Sequence, residues 1–220
     1  SSGLTVQSGG KSSGAGFLTK GSVPSSTLAG GILESDSSET HEGSFVSGTG
    51  GTILDTNSHS PTLTGTISGS GGLEISNSGS GGILSLANGN TYTGATIVGN
   101  GAHLKVNGSI ANSSSLSVDS GGVISGIGNY PSTSLTSGAS ISPGNSIGTQ
   151  SFTNLNLNGG SLDIEIQGPQ NDKISVSGNV TNFSGTANII PYDGGTLWPN
   201  FNYSIISAPN SSDFATSNSL

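Results

Sequence analysis

The stretch GGILSLANGNTYTGATIVGNGAHLKV, residues 81–106, strings three short apolar clusters, Ile83/Leu84/Leu86, Ala95/Ile97/Val98 and Leu104/Val106, between Gly, Asn and Thr. Leu84-Ser85-Leu86 and Leu104-Lys105-Val106 alternate apolar and polar residues with a period of two, as a half-buried strand does. A helix is disfavoured, because Gly89, Gly94, Gly99 and Gly101 interrupt any 3.6-residue stripe and β-branched residues add to the penalty. Short strands divided by frequent turns are therefore predicted. The punctuation is periodic: Gly-Gly pairs fall at 9–10, 30–31, 50–51 and 71–72, evenly spaced to within one position, with further pairs at 81–82, 121–122, 159–160 and 194–195. Most run straight into an apolar cluster, as in GGILES, GGTILD, GGLEIS, GGILSL, GGVISG and GGSLDI.

A period of about 20 residues with two or three short strands per unit is the signature of a solenoid. Glycine does not occupy every third position, which excludes collagen, and the fixed Leu/Asn ladder of leucine-rich repeats is missing. The pattern predicts a parallel β-helix in which each coil lies on the one before, with apolar residues stacked inward and Ser, Thr, Asn and Asp outward. At about 4.8 Å per coil, some nine or ten coils would make a rod roughly 45–50 Å long.

Composition changes the picture in three ways. Only 30% of the 220 residues are hydrophobic and 7% charged, so the core must be thin and repeated; the regular recurrence of Ile, Val and Leu separates the chain from disordered sequences. The formal charge is −8, with four lysines (Lys11, Lys20, Lys105, Lys173) and no arginine, which leaves no basic patch for nucleic acid or an anionic membrane. Cysteine is absent, removing disulfides, thiolate chemistry and Cys-based metal sites together. No apolar run approaches the roughly 20 residues of a membrane helix, and SSGLTVQ has no signal-peptide character. The expectation is a piece of a larger exported protein.

Residues 81–106 resemble the passenger-associated repeat of bacterial autotransporters, a Gly-rich turn, Leu-x-Leu, Asn-x-Tyr-x-Gly-x-Thr and Gly-x-Leu-x-Val, with Asn90, Tyr92, Thr93, Gly94, Thr96, Leu104 and Val106 in the matching places. Residues 137–195 are similar to the junction or autochaperone region at the end of such passengers. The marks are the Pro-Gly-Asn-Ser-Ile-Gly turn at 143–148, LDIEI at 162–166, Asp172-Lys173 before ISVSG, and NYSIISA at 202–208. Residues 1–80 match in composition and period only. The resemblance implies an all-β fold, a right-handed parallel β-helix (solenoid) whose coils occupy 1–119, followed by further coils and a capping or autochaperone segment over 120–220. It also implies export through the outer membrane to the bacterial cell surface or beyond, and a membrane-anchoring β-barrel elsewhere in the precursor.

Local chemistry adds candidates. Pro143 presets a turn and Gly144 and Asn145 accept positive φ, so a tight corner is expected there, anchored from inside by Ile141 and Ile147. The row Leu155, Leu157, Leu162, Ile164, Ile166, Ile174 and Val176 is the densest alternation in the chain. Six of the eleven aromatics, Phe183, Tyr192, Trp198, Phe201, Tyr203 and Phe214, lie in the last 38 residues, where local stability should peak. A folding nucleus is expected around Ile141, Pro143, Gly144, Asn145, Ile147, Leu157, Leu162, Ile164, Trp198 and Tyr203.

The acidic run Glu34, Asp36, Glu39 and Glu42 around His41 suggests a solvated insertion at 32–47, the best candidate for a binding loop. ETHEG is not HExxH and carries no helical pattern. None of His41, His59 and His103 stands by a GxSxG motif, so a serine hydrolase is not expected, and His103 should face outward. No catalytic residue, cofactor or metal is expected. Two functions remain open. One is an adhesive or structural stalk that meets a host cell-surface or matrix component, or another bacterial cell, and whose C-terminal part seeds folding. The other is a released virulence effector that binds a host receptor, or an enzyme whose active domain lies upstream.

Overall fold

A computed structural model describes residues 5–6, 11–13, 26–28, 30–191 and 203–209. Among them no helix occurs; short strands, most of two to five residues, stack in parallel as a β-solenoid of about eight turns. Each coil visits three faces. Face I is a nine-stranded sheet that runs from Lys11–Ser13 through Gly31–Glu34, Thr52–Asp55 and Leu73–Ser76 to Val180–Thr181. Face II is a nine-stranded sheet that starts at Thr40–His41 and includes Ile83–Leu86, His103–Val106, Val123–Gly126, Ser140–Pro143 and Ser161–Gln167. Face III consists of two four-stranded sheets, joined through the parallel bridges Gly89↔Ser109 and Ser109↔Asn129.

The alternation predicted for residues 81–106 is in place: Leu84 pairs with Leu104 and Leu86 with Val106, all four buried, while Ser85 and Lys105 stand between them on the outer side. Repetition of this arrangement builds columns. On face I, Leu33, Leu54, Ile75, Val98, Val118 and Leu135 stack in register. On face II, Leu84, Leu104, Ile124, Ile141 and Leu162 do the same. Each such side chain contributes roughly 1.5–3 kcal/mol on burial, so a core one or two residues wide is enough when it is repeated along the stack.

A second inward column on face I alternates chemistry. Thr52, Leu73, Thr96, Leu116, Thr133 and Leu155 follow one another in register, all buried. Every threonine hydroxyl finds a partner, as a buried polar group must. Thr52 shares a hydrogen bond with Ser47 (3.1 Å), Thr96 with Tyr92 (2.7 Å) and Ser113 (2.9 Å), and Thr133 donates to the Pro131 carbonyl (3.0 Å).

The Gly-Gly pairs mark two different corners. Those at 30–31, 50–51 and 71–72 lead into face I, whereas 81–82, 121–122 and 159–160 lead into face II. Gly51, at φ +74, shows why the first corner repeats: an L-residue is disfavoured there on backbone grounds, although a Cβ would find space, its nearest neighbour being the Gly72 carbonyl at 3.6 Å.

Coil length drifts along the stack. The register steps evenly from Leu33 to Leu54 and from Leu54 to Ile75, shortens between Val118 and Leu135, and is longer again between Leu155 and Val180. The pairing passes residue 120 without interruption. The described residues make about eight turns, fewer than the roughly nine or ten expected when the period is applied to all 220 residues. The longest strand, Ser161–Gln167, turns back on itself through an antiparallel pairing with Gln170–Asn171.

Candidate functional site

The acidic run at 34–42 is not an insertion. Gly31–Glu34, Thr40–His41 and Phe45–Ser47 are the successive strands of one ordinary coil, on faces I, II and III. His41 points inward, 9% exposed, and stacks over Leu63, while Asp36, Glu39 and Glu42 are exposed. The charges hid these strands because they occupy the corners and outward positions between them. Glu34, Asp36 and His41 share a cavity of about 30 Å³ with Asp55, Leu33, Leu54, Leu63 and Leu84; Glu39 and Glu42 do not reach it. That is room for a water molecule, far below the several hundred Å³ of a small-molecule site. Asp55 Oδ1 already accepts hydrogen bonds from the backbone N–H of Asn57 (3.0 Å) and Ser78 (2.9 Å). Among the described residues no group of three or more His, Cys, Asp or Glu is arranged to hold a metal ion.

His103, expected on the outer surface, is half-buried and shares a 2.7 Å hydrogen bond between Nε2 and Ser125 Oγ. The spacing is that of a nucleophile and its base. The electrostatics do not suit it, because burial, with the Lys105 charge second, lowers the imidazole pKa to about 4. Such a weak base draws little on the serine proton near neutral pH. The Gly126 N–H beside Ser125 is engaged with the Gly144 carbonyl (3.2 Å), so it does not face a bound oxyanion.

The described C-terminal candidates lie in neighbouring coils and in the segment that packs on them. Ile141, Leu157, Leu162 and Ile164 are fully buried, as are the other members of the row from Leu155 to Val176. Pro143 closes the strand Ser140–Pro143 and is buried. Gly144 sits at φ +91, where a Cβ would come within 1.7 Å of the Ser146 carbonyl, so the corner requires glycine. Backbone hydrogen bonds in both directions tie Gly144 to Gly126. Asn145 is exposed and its Nδ2 donates to Asn107 Oδ1 (3.2 Å), reaching two coils back. Ile147 is half-buried and does not anchor the turn from within the core, since the turn swings it away from the stacked columns. Tyr203 is partly buried and donates from its hydroxyl to the Gly168 carbonyl (2.8 Å).

The aromatic expectation is only partly met. Trp198, Tyr192, Phe201 and Phe214 lie outside the described residues, and Phe183 is exposed. Among the described residues the buried aromatics are Phe45, Tyr92, Tyr130 and Phe152, all further upstream. Tyr130 and Phe152 stack with ring centroids 4.9 Å apart and planes 15° from parallel. Burial drives the Tyr92 and Tyr130 phenols well above their ordinary pKa, so both stay neutral donors. Tyr130 donates to the Ser125 carbonyl (2.6 Å) and accepts from Gln150 Nε2 (3.2 Å), a fully buried glutamine that nothing in the apolar pattern announces.

Asp172 was also missed as a structural residue. It is 0% exposed, and its two carboxylate oxygens accept the Gly148 N–H and the Glu165 N–H, both at 2.8 Å. In the sequence it stands out only within the Asp172-Lys173 mark of the resemblance, which says nothing of its burial or its partners.

No protein-family model, curated protein or solved structure matches the chain. Among the described residues no helix is long and apolar enough to cross a membrane, which says nothing of a β-barrel.

Proposed function

We propose that this chain is the C-terminal part of an autotransporter passenger, a non-catalytic stalk at the bacterial surface that presents adhesive surface to a host component or to another bacterial cell. Its residues 120–220 seed passenger folding. The reading rests on the ordered marks shared with that family between residues 81 and 208, and is supported by a continuous β-solenoid in which the row Leu155–Val176 is buried throughout. In a parallel stack every strand pair is non-local, so starting a coil is slow and adding one to a finished edge is faster. A C-terminal end that folds by itself would supply that edge.

Limited proteolysis of the separate halves, with mass mapping, tests the proposal. Residues 120–220 should fold cooperatively and resist protease, and residues 1–119 should not. A resistant core that maps to residues 1–119 would make the C-terminal part a cap and defeat the seeding role. Adhesion is tested separately, by retention of the chain on host cells or on bacteria that display it, and absence of both would remove the adhesive half.

A further inference from the structure

The hairpin formed by Ser161–Gln167 and Gln170–Asn171 is held at three points. At its tip, Gly168 accepts from Tyr203. At its base, Asn171 Nδ2 donates to the Ser204 carbonyl (2.9 Å). On its flank, Asp172 bridges Gly148, the last residue of the Pro143–Gly148 turn, and Glu165 in the hairpin itself; the Lys173 N–H to Gly148 carbonyl bond (2.8 Å) closes the same junction. One carboxylate thus joins a turn and a hairpin, and the adjacent Asn171 side chain ties the same hairpin to the segment around residue 204.

The surroundings of that carboxylate are anionic. Glu165, in the hairpin, is the ionisable neighbour that acts on it, and Glu165 Oε2 is buried with no hydrogen-bond partner among the described residues. Asp163, two residues along the strand, is bonded to Asn188 (2.7 Å). Lys173 is exposed, on the opposite side of its strand from the buried set. Tyr203 supplies a hydroxyl, and neither the Pro143–Gly148 turn nor residues 204–209 carry a charge.

We propose that Asp172 is the pin of a proton-tightened clasp: uptake of one proton by its buried carboxyl removes an unpaired negative charge beside Glu165 and closes the hairpin on the Pro143–Gly148 turn. The energetics agree with the geometry. Burial, opposed by the two N–H donors and reinforced by the Glu165 charge, raises the Asp172 pKa from 3.8 to about 6. An opened hairpin exposes the carboxyl and returns it to the ordinary value, so the closed form binds the proton more tightly, and by linkage the proton favours the closed form. The inference stands on the geometry of this junction and does not depend on the proposed surface function.

The test is amide exchange at Gly148 and Glu165 in the intact chain at about pH 7.5 and about pH 5, corrected for intrinsic exchange rates, where linkage predicts protection about tenfold higher at the lower pH. Asp172→Asn is neutral at every pH and keeps one acceptor oxygen, while its Nδ2 cannot accept the second N–H, so its protection should be weaker at neutral pH and independent of pH over this range. Glu165→Gln keeps the pin and removes its neighbour's charge, so the gain on acidification should shrink. Unchanged or weaker protection of the unmodified chain at low pH overturns the clasp. So does a gain on acidification in Asp172→Asn as large as that of the unmodified chain, since another group would then be taking up the proton. If Asp172→Asn does not fold, the pH profile of protection in the unmodified chain decides, and a gain that does not set in as pH falls through about 6 refutes the proposal.

Discussion

Between residues 31 and 76 the face I column keeps an even step, Leu33 to Leu54 to Ile75, each coil turns on a glycine pair, and the interior admits His41 and a cavity beside Asp55. Between residues 133 and 181 the step on the same face lengthens from the Thr133–Leu155 pair to the Leu155–Val180 pair, the strand Ser161–Gln167 doubles back as a hairpin, and the apolar row from Leu155 to Val180 is at most 3% exposed. Regularity and packing are thus divided between the two ends. The period comes from corners that contribute no side chains to the core, whereas the extra residues that spoil the period lengthen strands and fill it. A repeat search therefore finds the early coils first, although the later ones hold more of the burial.

The largest expected contrast is between two aspartate substitutions at fully buried leucines. Leu157→Asp places an unpaired carboxylate in the dense end at a cost on the order of 5 kcal/mol, and proteolysis should find no resistant core anywhere. Leu73→Asp carries a similar local cost, yet the coils after residue 120 should survive as a resistant fragment. Survival of that fragment in Leu157→Asp would erase the distinction between the ends.

Two glycines sharpen it. Gly144→Ala meets both a left-handed φ and the Ser146 carbonyl, and should cost about 3 kcal/mol or more; Gly51→Ala meets the φ alone, with its Cβ in open contact, and should cost about 1–2 kcal/mol. Urea midpoints at constant m-value measure both, and equal shifts would mean that the steric clash at Gly144 relaxes freely.

Protons separate the ends more gently. His103, neutral in the fold with its pKa lowered to about 4, takes up a proton more readily when unfolded, so stability from this group is lost as pH falls from 6.5 towards 4. Asp172, raised from 3.8 to about 6, works the other way, and its contribution grows as pH falls through the same window. The two should largely offset each other in the unmodified chain. In His103→Gln the offset disappears and the urea midpoint should rise between about pH 6.5 and 4; an unchanged pH profile would show that His103 is not held neutral.

The smallest effect is expected at His41, whose ring makes no hydrogen bond among the described residues and stacks over Leu63. His41→Leu continues the apolar column and should stabilise by about 0.5–1 kcal/mol, read as a small rise in thermal midpoint; a fall would point to a role for the imidazole in the cavity.

What could be read from the sequence follows from what each residue does. Leu84-Ser85-Leu86 and Leu155–Val176 were legible because period-two alternation is itself the geometry of a strand. Residues 32–47 misled because Glu34, Asp36, Glu39 and Glu42 sit at corners and outward positions, where charge conveys nothing about the inward residues between them. Asp172, Gln150 and Tyr130 were opaque for a different reason. A buried polar side chain is defined by its partner, and Gly148, Ser125 and the other partners are brought near only by the folding and stacking of coils. Ile147 shows the converse, since its hydrophobicity said nothing of which way a turn would carry it.

The column Thr52, Leu73, Thr96, Leu116, Thr133, Leu155 alternates polar and apolar rungs. Each threonine brings a partner from close by in the chain: Ser47, Tyr92 and Pro131 stand five, four and two residues before Thr52, Thr96 and Thr133. Thr96 also reaches Ser113 in the next coil. The polar rungs are therefore self-contained cassettes: a hydroxyl enters the stack with its hydrogen bond already at hand, so the cost of burying it, on the order of 1–3 kcal/mol when unsatisfied, is met before the next coil docks.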